Sequence, residues 1–178
     1  MKKLAMLMLF IACAFAPITH VNALTVRSAI DQTTGNGVAA WDFFNGTEFV
    51  IQASILTSGV WGTAVTISDP SITSIEPRVA TNTTGEIAVI WQGEDPIAGL
   101  TNLYGTTYNL GLAAWELPQL ISAVNESVLQ DTYKVLLSAA GEVSVTYAAF
   151  QLSTFNNAVR AIFCPTYGTW TSPVTLAP

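Results

Sequence analysis

The chain has 178 residues, of which twelve are acidic, six are basic and one is a histidine, and its formal net charge is −6. So few cations argue against a nucleic-acid partner, because affinity for a phosphate backbone comes mainly from Lys and Arg. The high content of apolar, β-branched and aromatic residues favours strands over helices.

The first segment has the pattern of a secretory signal peptide. Two lysines follow Met1, an apolar run extends from Leu4 to Pro17, and small residues, Val21 and Ala23, precede the expected cleavage point. We therefore predict a signal peptide over residues 1–23 and export to the bacterial periplasm or the medium. The run is shorter than the roughly twenty residues of a membrane span. A lipoprotein with Cys13 as the lipidated residue is disfavoured because the apolar run continues past it.

Cleavage changes the chemistry that is available to the chain. The mature chain lacks His20 and Cys13 and keeps four basic against twelve acidic residues, a formal charge of −8. Without a histidine it can form neither a Ser-His-Asp nor a Cys-His site, nor a zinc site of the usual His/Cys kind. No Asp-x-Asp-x-Asp loop predicts calcium. We expect no cofactor and no metal, and a buried Cys164.

We interpret the rest of the chain as three copies of one unit, over residues 24–70, 75–124 and 131–178. Each copy has a basic residue, a short apolar segment, a polar turn ending in Gly, an apolar run closed by an aromatic, a variable middle, and a Trp with an apolar tail. The first copy predicts strands near residues 26–30, 38–43, 49–56 and 64–67, with Asn45-Gly46 as a hairpin turn.

Two landmarks keep nearly the same spacing between copies. The closing aromatic recurs after 50 and 56 residues, and the later Trp recurs after 54 and 55. In chain order the closing aromatics are Trp41, Trp91 and Tyr147, and the later tryptophans are Trp61, Trp115 and Trp170. Because these side chains occupy equivalent positions, we expect them to pack in the core or between repeats. The loops carrying Phe43, Phe44, Tyr104, Tyr108 and Phe155 are better candidates for a partner surface.

A four-stranded meander repeated about every fifty residues is typical of β-propeller blades. The Gly-x-Trp element with its apolar tail, at Gly59 to Trp61 and at Gly168 to Trp170, resembles the blades of bacterial secreted propellers of the sialidase-like and kelch-like groups. We predict an all-β chain of three four-stranded antiparallel blade-like repeats, a partial β-propeller. A β-sandwich or barrel is the alternative.

Three blades leave two apolar faces uncovered, since propellers close with about four to eight blades. Three arrangements would solve this: pairing of two copies into a six-bladed ring, membership of a longer propeller, or closure of the repeats on themselves. The first is the prediction that we carry forward, so we expect a homo-oligomer.

The candidate binding residues are charged side chains at equivalent places in the repeat. Basic residues begin the innermost strand of each copy, and acidic residues are expected in the loop that follows the second strand, on the same face. The six candidates are Arg27, Arg78, Lys134, Asp42, Glu94 and Asp95. They suit an anionic or polyhydroxy ligand, because Arg offers a planar fork to a carboxylate. The competing interpretation is that each basic residue pairs with an acid of the neighbouring blade.

These observations predict an exported binding or scaffold protein with a protein or carbohydrate partner, and no membrane span. One alternative is a sialidase-like glycoside hydrolase that uses a pair of carboxylates with Arg27 and Arg78 as clamps. The Ser-x-Asp-x-Gly-x-x-Trp box of sialidase blades is absent from all three copies, which favours binding over catalysis. The other alternative is a fragment of a surface adhesin.

Overall fold

The structure, a computed structural model, describes residues 25–95, 97–166 and 168–177. The predicted signal peptide lies outside these ranges. All the regular structure that they contain is β-strand, arranged in three antiparallel sheets. Among these residues, no helix has the length and apolar character needed to cross a membrane.

Blade 1 is the first sheet, in which β1, β2 and β3 lie side by side and two short strands share the free edge of β3. Its strands are β1 (Val26–Ile30), β2 (Gly37–Phe44), β3 (Phe49–Thr57), β4 (Val60–Trp61) and β5 (Val65–Thr66). The β2–β3 turn is closed by the Asn45 side chain, which accepts hydrogen bonds from the amides of Thr47 and Glu48. Gly46 adopts the positive φ of 104° that this turn requires.

Blades 2 and 3 repeat this order. Blade 2 consists of β6 (Ser74–Thr81), β7 (Ile87–Glu94), β8 (Thr101–Asn109), β9 (Ala114–Trp115) and β10 (Gln119–Leu120). Blade 3 consists of β11 (Glu126–Val128), β12 (Lys134–Leu137), β13 (Val143–Gln151), β14 (Asn156–Cys164) and β15 (Val174–Ala177). In blade 3 two short strands, β11 and β12, take the place of the single innermost strand of the other blades, since both pair with β13. The predicted all-β, partial propeller fold is confirmed.

Strand register places the three basic candidates at equivalent positions of their blades. Arg27 pairs with Ala40, Arg78 with Ile90 and Lys134 with Thr146. In every blade the basic residue therefore lies opposite the residue that precedes the closing aromatic. Because side chains alternate between the faces of a strand, the three basic side chains leave the same face of their blades.

Blade 2 lies between the other two, and its central strand is covered on both faces. Ile87, Val89 and Trp91 belong to the core cluster with blade 1. Ala88 and Ile90 belong to the cluster with blade 3. Seven consecutive residues of β7 are buried, and this explains why the sequence there is a continuous apolar run instead of an alternating one.

Trp91 is the largest fully buried side chain in the interface between blades 1 and 2. It is 1 % exposed and stacks on Tyr104 with ring centroids 6.4 Å apart. We expect Trp91→Ala to lower the free energy of unfolding by about 3–5 kcal/mol, since it removes a buried aromatic and leaves a cavity. Denaturant unfolding followed by circular dichroism measures the change.

The matched control is Trp61→Ala, because Trp61 is 46 % exposed. Exposed positions change stability by about 0.5 kcal/mol or less. Equal losses in the two variants would contradict the placement of Trp91 in the core.

Candidate functional site

A bulge in the inner strand of blade 2 marks the first candidate site. The pairing of β6 with β7 shifts between Ile75 and Arg78, and Glu76 adopts a φ of 54°. Few residues other than Gly occupy this left-handed region, and bulges redirect side chains near functional surfaces. The segment before β12 holds the bulge in place: the Tyr133 hydroxyl donates to the Glu76 carbonyl, and Gln130 Nε2 donates to Glu76 Oε1 at 2.8 Å.

Arg78 links the bulge to blade 3. Its Nη2 lies 2.7 Å from Asp131 Oδ1, and its guanidinium carbon lies 5.1 Å from the centroid of the Tyr133 ring. Both partners precede β12, so Arg78 holds two neighbouring blades together, which is the competing interpretation given above. A ligand-binding role for this residue stays a prediction.

The other two basic candidates are more accessible. Arg27 and Lys134 are exposed on β1 and β12. Arg27 Nη1 donates a 3.2 Å hydrogen bond to the neighbouring Val26 carbonyl, and the positive charge of Arg27 acts weakly on Tyr133. These two head groups are therefore the part of the predicted cation ring that could contact a ligand.

Asp42 does not lie where the sequence analysis placed it. It belongs to β2 itself, not to the following loop, and its side chain is buried. Its Oδ1 accepts a hydrogen bond from the Thr25 amide at 2.6 Å, and its Oδ2 lies 3.5 Å from the Glu76 amide. The Asp42 carboxylate thus joins the start of β1 to the bulge. These contacts also compensate for its burial, since a buried charged group without partners is costly.

Glu94 and Asp95 lie at the end of blade 2, where β7 turns into β8. Glu94 is the exposed last residue of β7. Asp95 Oδ1 accepts hydrogen bonds from the amides of Ala98 and Ile97, which lower the pKa of this carboxyl below its usual value. Asp95 also helps to raise the pKa of Tyr104, although burial is the larger cause. Asp95 therefore stabilises a turn and is not brought to Arg78.

A buried polar network that the sequence analysis missed lies in blade 3. Glu126 is fully buried; its Oε2 lies 3.0 Å from Arg160 Nε, and the Tyr147 hydroxyl donates to its Oε1. Arg160 also donates to the Thr175 hydroxyl. The network joins β11, β13, β14 and β15. Neither Arg160 nor Glu126 belongs to the repeat pattern, so only their distance in space identifies the pair.

Besides Tyr104, the structure raises the pKa of Tyr133 and Tyr147, and these two shifts are large. For Tyr147 the main cause is burial, followed by its hydrogen bond to Glu126 and the charge of that carboxylate. For Tyr133 the main cause is again burial, and the positive charge of Arg78 acts in the opposite direction. Both side chains are therefore held in the neutral, hydrogen-bond-donating form.

These shifts predict alkaline unfolding. An unfolded tyrosine has a pKa of 10.0, so the stabilisation from protonated Tyr133 and Tyr147 is complete below that pH and is lost as the pH rises towards their higher folded-state pKa values. We expect both to ionise only when the fold opens. Tyrosinate absorbance and circular dichroism, followed together against pH, test this.

In Tyr133→Phe and Tyr147→Phe the absorbance step that accompanies unfolding should be smaller. Gradual ionisation of all five tyrosines before any loss of circular dichroism would contradict the prediction.

A groove between the outer strands of blades 1 and 2 is the second candidate site. Its volume is about 440 Å³, and aromatic side chains of both blades line it. These are Trp61 from β4, Tyr108 from β8 and Trp115 from β9. The recurring tryptophans are expected in the core or between repeats; Trp61 is not in the core but lies 46 % exposed on a two-residue edge strand, where it lines the groove between blades 1 and 2.

No metal site is evident in the described ranges, because no three His, Cys, Asp or Glu side chains are grouped there so as to hold an ion. Cys164 is buried, and burial raises the pKa of its thiol.

Comparison with known proteins reveals similarity of fold. No protein-family model matches the chain, and no curated protein matches it in sequence. The endo-arabinase from Bacteroides thetaiotaomicron VPI-5482 aligns with a TM-score of 0.54 and 13 % identity over 90 % of this chain and 65 % of its own. The GH93 α-L-arabinofuranosidase of Fusarium graminearum in complex with arabinobiose aligns with a TM-score of 0.53 and 11 % identity over 86 % of this chain and 48 % of its own.

Both neighbours have propeller folds, so the blades described above are propeller-like. At such low identity the shared property is the fold alone. The chain spans about two thirds of the first neighbour and about half of the second. The closer resemblance to sialidase-like or kelch-like blades stays a prediction.

Proposed function

We propose that the chain is an exported propeller-type binding protein whose three blades are completed by those of a second copy. The observation that carries this proposal is the state of its two end faces. Positions that are buried wherever two blades meet are exposed on the outer side of blade 1 and on the outer side of blade 3.

The outer face of blade 1 carries Trp41, the equivalent of Trp91 and Tyr147. Both equivalents are 1 % exposed because a neighbouring blade covers them, whereas Trp41 is only half-buried. Val26 pairs with Trp41 on the same face and is 58 % exposed. This face thus has the composition of a blade interface but lacks a covering blade.

The outer face of blade 3 shows the same feature. Val159 pairs with Ala148, the residue that follows the closing aromatic of blade 3. In blade 2 the corresponding position is Leu103, because it pairs with the residue that follows Trp91. Leu103 is fully buried against blade 3, whereas Val159 is 41 % exposed. On the same face Leu136 is 71 % exposed, and Phe163 lies nearby in register. Exposed apolar surface of this extent marks interaction sites.

Pairing blade 3 of one copy with blade 1 of another would cover both faces with the packing that already joins blades 1, 2 and 3. The two copies would form a closed ring of six blades with two-fold symmetry, within the range in which propellers close. Lys134 occupies the register position of Arg78, which pairs with Asp131 of the next blade. In the ring Lys134 would therefore face blade 1 of the second copy.

The ring would gather the exposed cations of both copies around one centre. Arg27 and Lys134 of each copy lie at the starts of inner strands β1 and β12, both of which contact β6, the strand that carries the bulge at Glu76. An anionic or polyhydroxy ligand suits such a centre, because Arg and Lys donate several hydrogen bonds to oxygen acceptors. This is the role that we propose for the predicted cation ring.

Glycoside hydrolysis is the second candidate, and the names of the two neighbours support it. It requires two carboxyl groups on either side of a scissile bond, about 5–10 Å apart. Asp42 and Glu76 are neighbours, but Asp42 is buried and bound by backbone amides. Binding is therefore the better-supported function. No contact within the described residues specifically favours the adhesin alternative.

Light scattering of the mature chain, residues 24–178, over a range of concentrations tests the pairing. We expect a stable species of twice the chain mass. Val26→Asp and Leu136→Asp each place a charge on an apolar end face, and because burying an unpaired charge is costly, each should weaken the pairing at least about tenfold, or by about 1.4 kcal/mol.

The control is Leu112→Asp, which changes an exposed leucine of the β8–β9 turn, outside both end faces. It should leave the mass unchanged. A folded monomer at every concentration, or equal effects of all three substitutions, would overturn the proposal.

A further inference from the structure

We propose that the groove between the outer strands of blades 1 and 2 is a binding site for a neutral saccharide. The groove lies within one copy, on the side where blades 1 and 2 face each other. This inference is therefore independent of the pairing proposed above and of the cation ring at the inner strands.

The size and walls of the groove suit one or two sugar rings. Its volume of about 440 Å³ falls in the range of about 300–1,000 Å³ that is usual for small-molecule sites. Trp61 forms one wall, and Trp115 and Tyr108 form another. The latter two rings meet edge to face, with centroids 5.3 Å apart and planes at 65°. The contact fixes both rings, so little order has to be gained on binding.

The segment that carries Trp61 is also held in place. Ser54 Oγ donates to the Gly62 carbonyl at 2.7 Å, and the Gly62 amide donates to the Ile55 carbonyl at 2.8 Å. Trp61 is thus an exposed aromatic on an anchored strand, and its exposure does not result from a loose loop.

The next interface provides an internal comparison, because it is built from the same repeat. There Trp170, the equivalent of Trp115, lines two spaces, one of about 50 Å³ and one of about 610 Å³. In each of them Trp170 is the single aromatic side chain among the described lining residues, whereas three aromatic side chains line the groove between blades 1 and 2.

The grouping of three aromatic side chains is thus a property of this pair of blades and not of the repeat as such. This difference supports a ligand site over incomplete packing.

The lining indicates the class of ligand. None of the described residues that line the groove is charged, although the chain as a whole is strongly acidic. Aromatic faces meet the apolar C–H faces of sugar rings, and the hydroxyls of Thr57 and Thr63 and the Gly62 backbone supply polar groups for sugar hydroxyls. An ionic ligand would find no counter-charge there, so a neutral saccharide fits best.

Titration with three neutral disaccharides tests the site: arabinobiose, which is present in the fungal neighbour, xylobiose and cellobiose. Tryptophan fluorescence and calorimetry report binding. We expect at least one probe to bind with a dissociation constant of about 1 mM or tighter. Trp61→Ala should weaken binding at least about tenfold, and Trp61→Phe, which keeps an aromatic face, should weaken it less.

The control is Leu152→Ala, which removes an exposed apolar side chain at the β13–β14 turn, away from the groove. It should leave binding unchanged, and circular dichroism should show that every variant is folded. Absence of binding to all three probes at about 10 mM, or equal loss in Leu152→Ala, would overturn the inference.

Repeating the titration with Leu136→Asp separates this inference from the proposed pairing. The groove lies within one copy, so binding should persist in that variant whether or not two copies associate. Loss of binding there would place the ligand between copies and would overturn the site described here.

Discussion

A β-sheet that is apolar on both faces must be covered on both, and the structure of this chain depends on that requirement. Blade 2 meets it completely: β7 directs one set of side chains at blade 1 and the alternate set at blade 3, and seven of its residues are buried. Burial of apolar surface contributes about 25 cal/mol per Å². The blades at either end, each with one covered face, keep an apolar surface in water.

Polar contacts hold the inner ends of the blades together. Arg78 contacts Asp131 and the Tyr133 ring, while the Tyr133 hydroxyl reaches back to the carbonyl of Glu76. Each contact crosses from blade 2 to blade 3. Because Glu76 adopts a left-handed conformation that costs energy for a residue other than Gly, these contacts also explain how the bulge persists. The same residues therefore align neighbouring blades and shape the surface around the inner strands.

Equivalent aromatic residues have different roles because their surroundings differ between blades. Trp91 and Tyr147 are buried where blades meet, while Trp41, at the same position, faces outward from the end of the stack. Trp115 lines a groove together with Trp61 and Tyr108, while Trp170 is the single aromatic side chain among the described residues of the spaces that it lines. Repetition sets the scaffold, and departures from repetition create the places where a ligand could bind.

Much of this architecture follows from the sequence by itself. The alternation of apolar residues, the turn glycines and the recurring aromatics determine the strands and their grouping, because these patterns reflect local backbone geometry and burial on the faces of a strand. The equivalence of Arg27, Arg78 and Lys134 could also be predicted, since register preserves it. Tertiary structure alone decided what these side chains contact.

The residues that these side chains contact are distant from them in the sequence. Asp131 lies 53 residues from Arg78, and Glu126 lies 34 residues from Arg160, so no local pattern connects them. The burial of Asp42 and the exposure of Trp61 likewise depend on which neighbouring blade covers each position. Local patterns report the conformation of a segment, whereas a site depends on which distant surfaces meet, and only the packed chain determines that.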